Sequence, residues 1–448
     1  GFYSLGTKHN PLAQALKSLI PGNVKVLLKK SIFSIPLILQ KNESQDARLK
    51  KLERKLAVQD AKIEAIENKN SLIRKKTREV VGKKNKNSMS VYKLPIPSHY
   101  DWGLKPVAYV DQTKEDIYFA SGKGDFFTFP KLSIGSQKIS YKIISSNIKD
   151  LIFDEKLYEP YITSIKDLLI KDDYIYFSFG TTNKKKDCYE LIVMRAKINK
   201  ELLNFKKFFS KKDCQIYRID FDMNYQHIGG RMVKYKNDEI LLSVGDFGDE
   251  KTPQIEKSIF GKIISINNKN NYKIISSGSR NAQGLIYDIE NDIILNTEHG
   301  PVGGDEVNIN INPEKNKIKN FGWPIVSYGT TSTGETYPTN HKKLGFIEPI
   351  KYFTPSIGIS EILQIPESFD VRFTNDFFVN ALGFESQWDE GDQSIHHIRL
   401  DDKFKNIIFE DIIPIHERIR DTIYVKENNS VLLILETIPA IGFLKINN

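Results

Sequence analysis

A strand-like run of one shape occurs six times after about residue 110, and this repeat restricts the fold more than any other feature of the chain. In each copy, a polar turn is followed by consecutive aliphatic and aromatic residues, as in a strand buried on both faces. The copies are Asp116–Ala120, Asp173–Ser178, Asp238–Ser243, Asp292–Asn296, Asp376–Asn380 and Ser430–Leu435. Intervals of about 55 to 85 residues separate them, which fits the blades of a β-propeller.

Residues 91–448 are therefore predicted to form an all-β domain, a six-bladed β-propeller. Long amphipathic helices are scarce there, which argues against an α/β sheet; a pair of β-sandwich domains is the alternative. The 40% hydrophobic content of the 448 residues is enough for one large core or two ordinary ones. Loops from several blades converge at one end of a propeller's channel, so residues distant in sequence become neighbours there.

The first 90 residues differ from the repeat region and divide into three segments. Residues 1–42 combine lysines with scattered apolar groups, so we expect either a basic segment at a membrane surface or loose packing on the main domain. Residues 43–73 are predicted to form a coiled-coil helix that makes the protein a homo-oligomer, with a single amphipathic helix as the alternative. The apolar positions of that heptad pattern are Leu49, Leu52, Leu56, Ile63 and Ile66. Residues 74–90 are predicted to be a charged linker.

Charge and cysteine content limit the partners and the compartment. The formal net charge is +9, but 56 acidic residues are spread among 65 basic ones. No motif combines basic and aromatic residues in the manner of nucleic-acid readers, so we predict no nucleic-acid partner. Two cysteines rule out a fold built on disulfides, and whether Cys188 pairs with Cys214 is left open by the sequence.

Polar chemistry is concentrated between residues 278 and 328. Three glycine-rich runs carry it, namely Gly278–Gly284, Glu298–Glu306 and Asn320–Pro324. Glycines let a backbone approach a ligand closely, and charges packed beside such turns must each find a partner. We interpret the stretch as part of a functional site; a polar loop between two strands is the alternative.

A candidate general base, His227, lies upstream of that stretch. Asp246 ends the same strand unit, and a strand out and a strand back would bring its carboxylate to the imidazole. Such a contact fixes the tautomer of the ring and raises its basicity. A histidine with a purely structural role is the alternative.

Arginines supply a second candidate group. Arg418 and Arg420 point to one face of a predicted strand. Joined by Arg280 from another blade, they would suit an anion with several carboxylates, because each guanidinium binds a carboxylate through two hydrogen bonds. The alternative is an arginine ladder paired with Asp421 and Glu417.

The run Glu298–Glu306 is a candidate cation loop. Carboxylates and the exposed carbonyls around Gly300 and Pro301 would suit Ca²⁺, which prefers oxygen ligands in loose geometry. The spacing is not that of an EF-hand, and the single His299 argues against zinc.

Together these motifs resemble the glucose/sorbosone dehydrogenase family, the soluble quinoprotein sugar dehydrogenases, which are six-bladed propellers that use pyrroloquinoline quinone and calcium. The resemblance is good from about residue 225 to residue 448, and so many motifs in one order are specific for the family. The matching runs are His227–Arg231, Ser243–Asp246, Gly261–Ile263, Gly278–Gly284, Glu298–Glu306, Asn320–Pro324, Pro355–Ile357 and Arg418–Asp421.

The resemblance implies an oxidoreductase of the periplasm or cell envelope, tethered by its N-terminal segment, that passes electrons from a sugar or alcohol to an external acceptor. His227, held by Asp246, would take the proton of an anomeric hydroxyl while hydride passes to the quinone. Arg280 would stabilise the charge that develops on the quinone oxygens. The other implied contacts are Asn281 at the quinone, Arg418 and Arg420 at the cofactor carboxylates, and the carbonyls of Gly300 and Pro301 at Ca²⁺.

Three positions depart from the family's pattern. A lysine that follows the strand matching Phe378–Leu382 is Gly383 here, the Gly-Gln-Gly-Gly-Leu turn appears as Thr163–Leu168, and the proline of Arg-Asn-Pro-Gln-Gly is Ala282. The missing lysine favours the alternative of a non-catalytic propeller that acts as a multivalent carbohydrate- or protein-binding module. The retained histidine, aspartate and arginines favour the enzyme, because a pure binding module needs no such set. A hydrolase or lyase that uses the histidine and a metal is a third interpretation.

Overall fold

The computed structural model divides the chain into two units, Gly1–Lys51 and Leu52–Asn448. The structure describes residues 71–81, 86–93, 108–148, 163–183, 188–211, 214–216, 227–315, 317–369, 375–383, 393–436 and 440–446, all in the second unit. The predicted segment 1–42 and residues 43–70 of the predicted coiled coil lie outside these ranges, so the segment, the coiled coil and the oligomer remain predictions. Residues 71–73 lie in a strand, so the predicted helix does not extend to residue 73. Within the described ranges, no helix is long and apolar enough to cross a membrane.

The described elements are strands joined by turns and short 3₁₀ helices. The strands, in chain order, are β1 (Ser71–Val81), β2 (Lys86–Lys93), β3 (Ala108–Gln112), β4 (Asp116–Ser121), β5 (Phe126–Pro130), β6 (Lys138–Ser140), β7 (Lys142–Ser146), β8 (Ile165–Lys171), β9 (Tyr174–Asn183), β10 (Cys188–Lys197), β11 (Leu202–Leu203), β12 (Lys206–Ser210), β13 (Gln215–Ile216), β14 (Gly229–Lys234), β15 (Ile240–Val244), β16 (Lys262–Ile266), β17 (Tyr272–Ser277), β18 (Ala282–Asp288), β19 (Ile293–Glu298), β20 (Asp305–Ile311), β21 (Lys319–Asn320), β22 (Lys351–Phe353), β23 (Ile359–Ile365), β24 (Asp376–Ala381), β25 (Ser394–Leu400), β26 (Ile407–Pro414), β27 (Ile419–Val425), β28 (Ser430–Leu435) and β29 (Ala440–Ile446). The 3₁₀ helices are Lys131–Ser133, Lys236–Asp238, Thr252–Gln254, Lys342–Leu344 and Lys426–Asn428.

The described strands form six sheets that follow one another around a closed ring. The innermost strand of each sheet contacts that of the next, in the order β3, β8, β14, β18, β23, β27 and again β3. From the innermost strand outward, the sheets are β3-β4-β5-β7-β11, β8-β9-β10-β12 with β13 beside β10, β14-β15-β16-β17-β21, β18-β19-β20-β22, β23-β24-β25-β26 and β27-β28-β29-β2-β1-β6. A closed ring of such sheets is a propeller, so the predicted all-β propeller is confirmed.

The repeated apolar runs form the second strand of each sheet, and this explains their composition. Every residue of β4, β15, β19, β24 and β28 is buried, because neighbouring sheets cover both faces. Aromatic rings fill the space between the first two sheets. There the ring of Phe205 lies 5.1 Å from that of Phe126 and 4.7 Å from that of Phe177.

The predicted charged linker at 74–90 and the predicted domain start at residue 91 are wrong. Strands β1 and β2 pair antiparallel across that stretch, and β2 pairs with β29, so the two ends of the described chain complete one sheet. The reason is a strand-like alternation within a lysine-rich sequence. Leu72, Val80 and Met89 are buried, whereas Thr77 and Glu79 are exposed. The lysines and polar residues between the buried positions were mistaken for a solvated segment.

Candidate active site

Three predicted site residues lie just before the innermost strands, at one end of the central channel. His227 precedes β14, and Arg280 and Asn281 precede β18. Hydrogen bonds join these strand starts, because the amide N–H of Gly229 donates to Asn281 Oδ1 at 3.1 Å and that of Asp246 donates to the Arg280 carbonyl at 2.8 Å. We call His227, Asp246, Arg280 and Trp323 the mouth site.

His227 and Asp246 form the predicted pair. The two side chains are buried, and Nδ1 of the ring lies 2.9 Å from Oδ1 of the carboxylate. The carboxylate also accepts the N–H of Gly248 at 2.8 Å and the indole N–H of Trp323 at 2.8 Å. Gly245 is required for this approach, since a Cβ there would collide with the carbonyl of His227. A carboxylate fixed in this way places the ring proton on Nδ1 and leaves Nε2 to accept a proton.

Electrostatics keep the imidazole neutral. Burial lowers the pKa of His227, the charge of Arg280 lowers it further, and Asp246 opposes both effects. An imidazole with a lowered pKa is unprotonated at neutral pH, which is the state that a general base requires.

The guanidinium of Arg280 occupies the other side of the mouth site. Its Nη1 donates to the carbonyls of His299 and Gly300, each at 2.8 Å, and its central carbon lies 5.4 Å from the centre of the Trp323 ring. The Nε of Arg280 is buried and has no hydrogen-bond partner among the described residues. A buried charged donor without a partner is costly, and a ligand oxygen would satisfy it.

Glu298 supports the turn that carries these groups. One of its oxygens accepts the backbone N–H of Arg280 at 2.6 Å and that of Asn281 at 3.1 Å. Burial raises the pKa of Glu298 to about 7, while the two N–H donors oppose the shift. The sequence analysis assigned Glu298 to a candidate cation loop. In the structure, its described hydrogen bonds instead stabilise the turn that carries Arg280.

The candidate cation loop is tied to its surroundings by other contacts. The N–H of Gly300 donates to Asp305 Oδ1 at 3.0 Å, and Asp305 Oδ2 accepts the N–H of Ile359 at 2.9 Å. The described residues contain no group of three or more His, Cys, Asp or Glu side chains that could hold a metal. The Gly300 carbonyl accepts a hydrogen bond from the Arg280 guanidinium, and the assignment of Gly300 and Pro301 to Ca²⁺ remains a prediction.

Arg418 and Arg420 share a face, as predicted, and meet over one carboxylate that the sequence analysis missed. Arg420 binds Glu436 through two hydrogen bonds of 2.7 and 3.1 Å, and Arg418 Nε lies 3.6 Å from the same carboxylate. Nη1 of Arg418 also donates to the carbonyls of Leu382 and Gly383 at 3.1 and 2.9 Å. A cation therefore lies beside Gly383, where the family has its lysine.

Asp421, expected as a partner of that pair, instead binds Arg231 inside the channel. Nη1 of Arg231 lies 2.7 Å from Asp421, 3.0 Å from Asp167 and 2.8 Å from Glu361. The other nitrogens donate to the carbonyls of Gln283 and Arg420 at 2.6 and 2.8 Å. We call Arg231, Asp167, Glu361 and Asp421 the central layer; their side chains reach inward from four of the six innermost strands.

The sequence analysis missed Trp323, Glu298, Glu436 and the central layer as contributors. Trp323 and Glu298 lay within motifs that were singled out, so a search for hydrogen-bond partners of Asp246 and Arg280 among those motifs could have found them. The central layer carried no local signal, because its partners are far apart in the sequence; Arg231 and Asp421, for example, are 190 residues apart.

Comparisons with known proteins point to one family. The family model described as glucose/sorbosone dehydrogenase matches residues 167–438. An uncharacterized protein of Synechocystis sp. is 31% identical over 246 residues, 47% of this chain and 56% of that protein. An aldose sugar dehydrogenase of Escherichia coli is 26% identical over 172 residues, 35% of this chain and 45% of that protein. The chain thus spans about half the length of the curated relatives it matches.

Solved structures show the same fold. A glucose dehydrogenase matches with a TM-score of 0.60 at 18% identity, over 76% of this chain and 96% of that one. The apo form of the soluble aldose sugar dehydrogenase of Escherichia coli matches with a TM-score of 0.59 at 15% identity, over 77% and 96%. A pyrroloquinoline quinone-bound aldose sugar dehydrogenase of Streptomyces coelicolor matches with a TM-score of 0.54 at 16% identity, over 77% and 94%.

Proposed function

The chain belongs to the glucose/sorbosone dehydrogenase family, and we propose that it oxidises the CH–OH group of an aldose or related sugar by hydride transfer to pyrroloquinoline quinone. The observation that carries this proposal is the buried pair of His227 and Asp246 beside Arg280. A neutral base and a guanidinium at one channel end can remove a proton and stabilise negative charge in the same step.

The residues around the mouth fit a planar, anionic cofactor. The buried Nε of Arg280 lacks a partner among the described residues and would donate to a quinone oxygen. Asn281 lies beside it and would add an amide. Arg418 and Arg420 carry two positive charges beside the carboxylate of Glu436, and their guanidiniums would attract the cofactor carboxylates.

When bound, the quinone would supply an electron-poor carbon that can accept a hydride from the sugar carbon. His227 would accept the hydroxyl proton at Nε2, and the carboxylate of Asp246, 2.9 Å from Nδ1, would stabilise the imidazolium. Arg280 would stabilise negative charge beside its guanidinium. An external acceptor would take up the electrons.

The substrate would enter past an aromatic wall at the mouth. The ring of Tyr337 lies 5.3 Å from that of Trp323, and both stand beside Arg280. Aromatic faces suit the apolar C–H face of a sugar, while the hydroxyl groups point towards polar side chains.

We place the protein in the periplasm or cell envelope. Cys188 and Cys214 form a disulfide in this structure, and such bonds persist in oxidising compartments. The disulfide supports a location outside the cytoplasm. It also shows that Cys188 pairs with Cys214, which the sequence alone left open.

Reconstitution tests the proposal. Purified protein is incubated with pyrroloquinoline quinone, with Ca²⁺ or with a Ca²⁺ chelator, and dye reduction is followed with a panel of aldoses. We expect aldose-dependent reduction by the wild type. We also expect that His227→Gln takes up the quinone but does not reduce dye.

Absence of quinone uptake, or dye reduction that is equal in His227→Gln, would contradict the proposal. The chelator tests the predicted calcium site separately. Unchanged quinone binding without Ca²⁺ would remove the Gly300 and Pro301 assignment and leave the dehydrogenase standing.

A further inference from the structure

Lys262 is a buried ammonium whose described hydrogen bonds all go to backbone carbonyls. Its side chain is 1% exposed at the start of β16. Nζ donates to the carbonyls of Pro253, Thr252 and Phe260 at 2.6, 3.2 and 3.2 Å. Burial lowers the pKa of Lys262 to about 8, so the amine is still protonated at neutral pH. A buried ammonium is costly unless its donors are satisfied, and here one segment supplies the three acceptors.

That segment is the loop 247–261, which directly follows Asp246. The ammonium binds the loop near its middle and near its end, so it closes the loop on itself. Gly261 completes the closure, because a Cβ there would collide with the ring of Pro253 and the carbonyl of Ser279. The N–H of Gly261 donates to the carbonyl of Gly245 at 3.0 Å, which ties the loop end back to the strand that bears Asp246.

The loop reaches Asp246 through Trp323. Gln254, the residue after Pro253, donates through Nε2 to the carbonyl of Trp323 at 2.6 Å. It also accepts from Asn320 Nδ2 at 2.8 Å. The indole N–H of Trp323 then donates to Asp246 Oδ2 at 2.8 Å. The position of the indole therefore depends on the loop that Lys262 holds.

A second route leads from the loop to His227 itself. The rings of Phe260 and Phe247 are in edge contact at 5.0 Å. The N–H of Phe247 donates to the carbonyl of His227 at 3.0 Å. Both the side-chain partner and the backbone of His227 are thus anchored by the segment around Lys262.

We propose that Lys262 is a positioning residue for His227, in which one buried ammonium gathers the carbonyls of loop 247–261 and so fixes Asp246 and the tautomer of the imidazole. This role rests on the proposed function, because the tautomer matters for catalysis only if His227 is the base. The ammonium acts through the loop and does not touch the reacting atoms. The fixed tautomer is the property that a merely structural lysine would not control.

The test uses the full chain without cofactor. Lys262→Met keeps the length of the side chain and removes its charge and donors. Lys171→Met is the matched control, because Lys171 is also buried but pairs with Asp172 and Asp238 at the far end of β8. Amide hydrogen exchange reports on loop 247–261, and ¹⁵N shifts of the His227 ring report which nitrogen carries the proton.

For Lys262→Met we expect about tenfold faster exchange within the loop and loss of the pure Nδ1–H tautomer of His227. For Lys171→Met we expect lower global stability with loop exchange and tautomer as in the wild type. The inference would be overturned if Lys262→Met showed the same loop exchange rates and the same His227 tautomer as the wild type. It would also be overturned if both variants showed the same changes.

A second variant covers the case in which Lys262→Met does not fold. Gln254→Leu keeps the ammonium and its three carbonyls but breaks the link to Trp323, so the tautomer of His227 should again become mixed. An unchanged tautomer in Gln254→Leu would overturn the inference. Neither readout needs quinone or sugar, so the positioning role and the proposed dehydrogenase can fail separately.

Discussion

Arg231 lies on β14 and Arg280 lies just before the neighbouring strand β18, yet their surroundings are opposite in kind. In the central layer, the described contacts of Arg231 include three carboxylates and two carbonyls, and the residue is 4% exposed. At the mouth, Nη1 of Arg280 donates to two carbonyls, and the buried Nε has no described hydrogen-bond partner. One guanidinium is saturated and the other is incomplete.

The difference separates a residue that holds the ring together from one that is available for a ligand. Saturated buried charges join elements and are replaceable only at a large cost in stability. An incomplete donor in a cavity mouth lowers stability slightly and gains a partner when a ligand binds. The contrast assigns stability to the central layer and chemistry to the mouth site, and four changes can break that assignment.

The largest expected effect on stability comes from Arg231→Met. It leaves the carboxylates of Asp167, Glu361 and Asp421 buried without their cation, and loss of one partner from a buried pair costs about 3–5 kcal/mol. The same change at Arg280 should cost less, about 1.5–3 kcal/mol, because only hydrogen bonds to carbonyls are lost. Chemical denaturation measures both values. Equal losses at the two positions would contradict the contrast.

The largest expected effect on activity comes from His227→Gln. Loss of a general base lowers turnover by about 10²–10⁴-fold, and the glutamine keeps a donor towards Asp246, so the unfolding free energy should change little. Dye reduction and denaturation on the same preparation check the two expectations together. A large drop in stability with the drop in turnover would instead make His227 a structural residue.

Arg280→Met should have a smaller, double effect. A charge-assisted hydrogen bond is worth about 1.5–3 kcal/mol, so quinone affinity should fall by about tenfold to a hundredfold. The charge of Arg280 also lowers the pKa of His227, so its removal should raise that pKa and move the rising limb of the pH–rate profile to higher pH. Isothermal titration and a pH series measure the two parts. A limb that stays in place would show that Arg280 and His227 are not coupled.

The smallest expected effect is the pH dependence of stability in the central layer. Burial raises the pKa of Asp167 from 3.8 to about 7 and that of Glu361 from 4.5 to about 8; Arg231 opposes the shifts and the charge of Asp421 adds to them. The folded protein then binds more protons than the unfolded chain, so this contribution is fully present below about pH 4 and is lost as pH rises through 7 to 8.

Glu361→Gln isolates that contribution. The amide cannot titrate, so the fall in unfolding free energy between pH 5 and pH 8 should be smaller than in the wild type by about 1–2 kcal/mol. Denaturation curves at a series of pH values give both slopes. Identical slopes would mean that Glu361 does not gain its proton on folding.

The residues also show how far the sequence could predict the structure. His227 and Asp246 lie in one strand pair, so a local pattern was sufficient to bring them together. Arg418 and Arg420 approach one carboxylate, as their two-residue spacing suggested, although Arg418 precedes β27 and the register shifts between Ile419 and Asp421. Their partner Glu436 lies on the next stretch of chain, after the hairpin of β27 and β28, and its role required the closed sheet.

Contacts between residues that are far apart in the sequence account for what the sequence analysis missed. The partners of Arg231 come from three other strands of the ring. No local sequence pattern predicts a contact between residues 167, 231, 361 and 421. Residues 74–90 were misassigned because their partner strand, β29, is at the other end of the chain. The hydrogen bond from Arg280 to the Gly300 carbonyl also joins two loops, and no local sequence pattern indicates it.

The most direct test of the contrast is an anaerobic single-turnover experiment with quinone-loaded protein and an aldose deuterated at the anomeric carbon. We predict reduction of the bound quinone with a primary isotope effect in the wild type, and reduction slowed by about 10²–10⁴-fold in His227→Gln although the variant binds quinone equally well. Quinone that stays oxidised in the wild type, or that is reduced at the same rate in both proteins, would contradict the account.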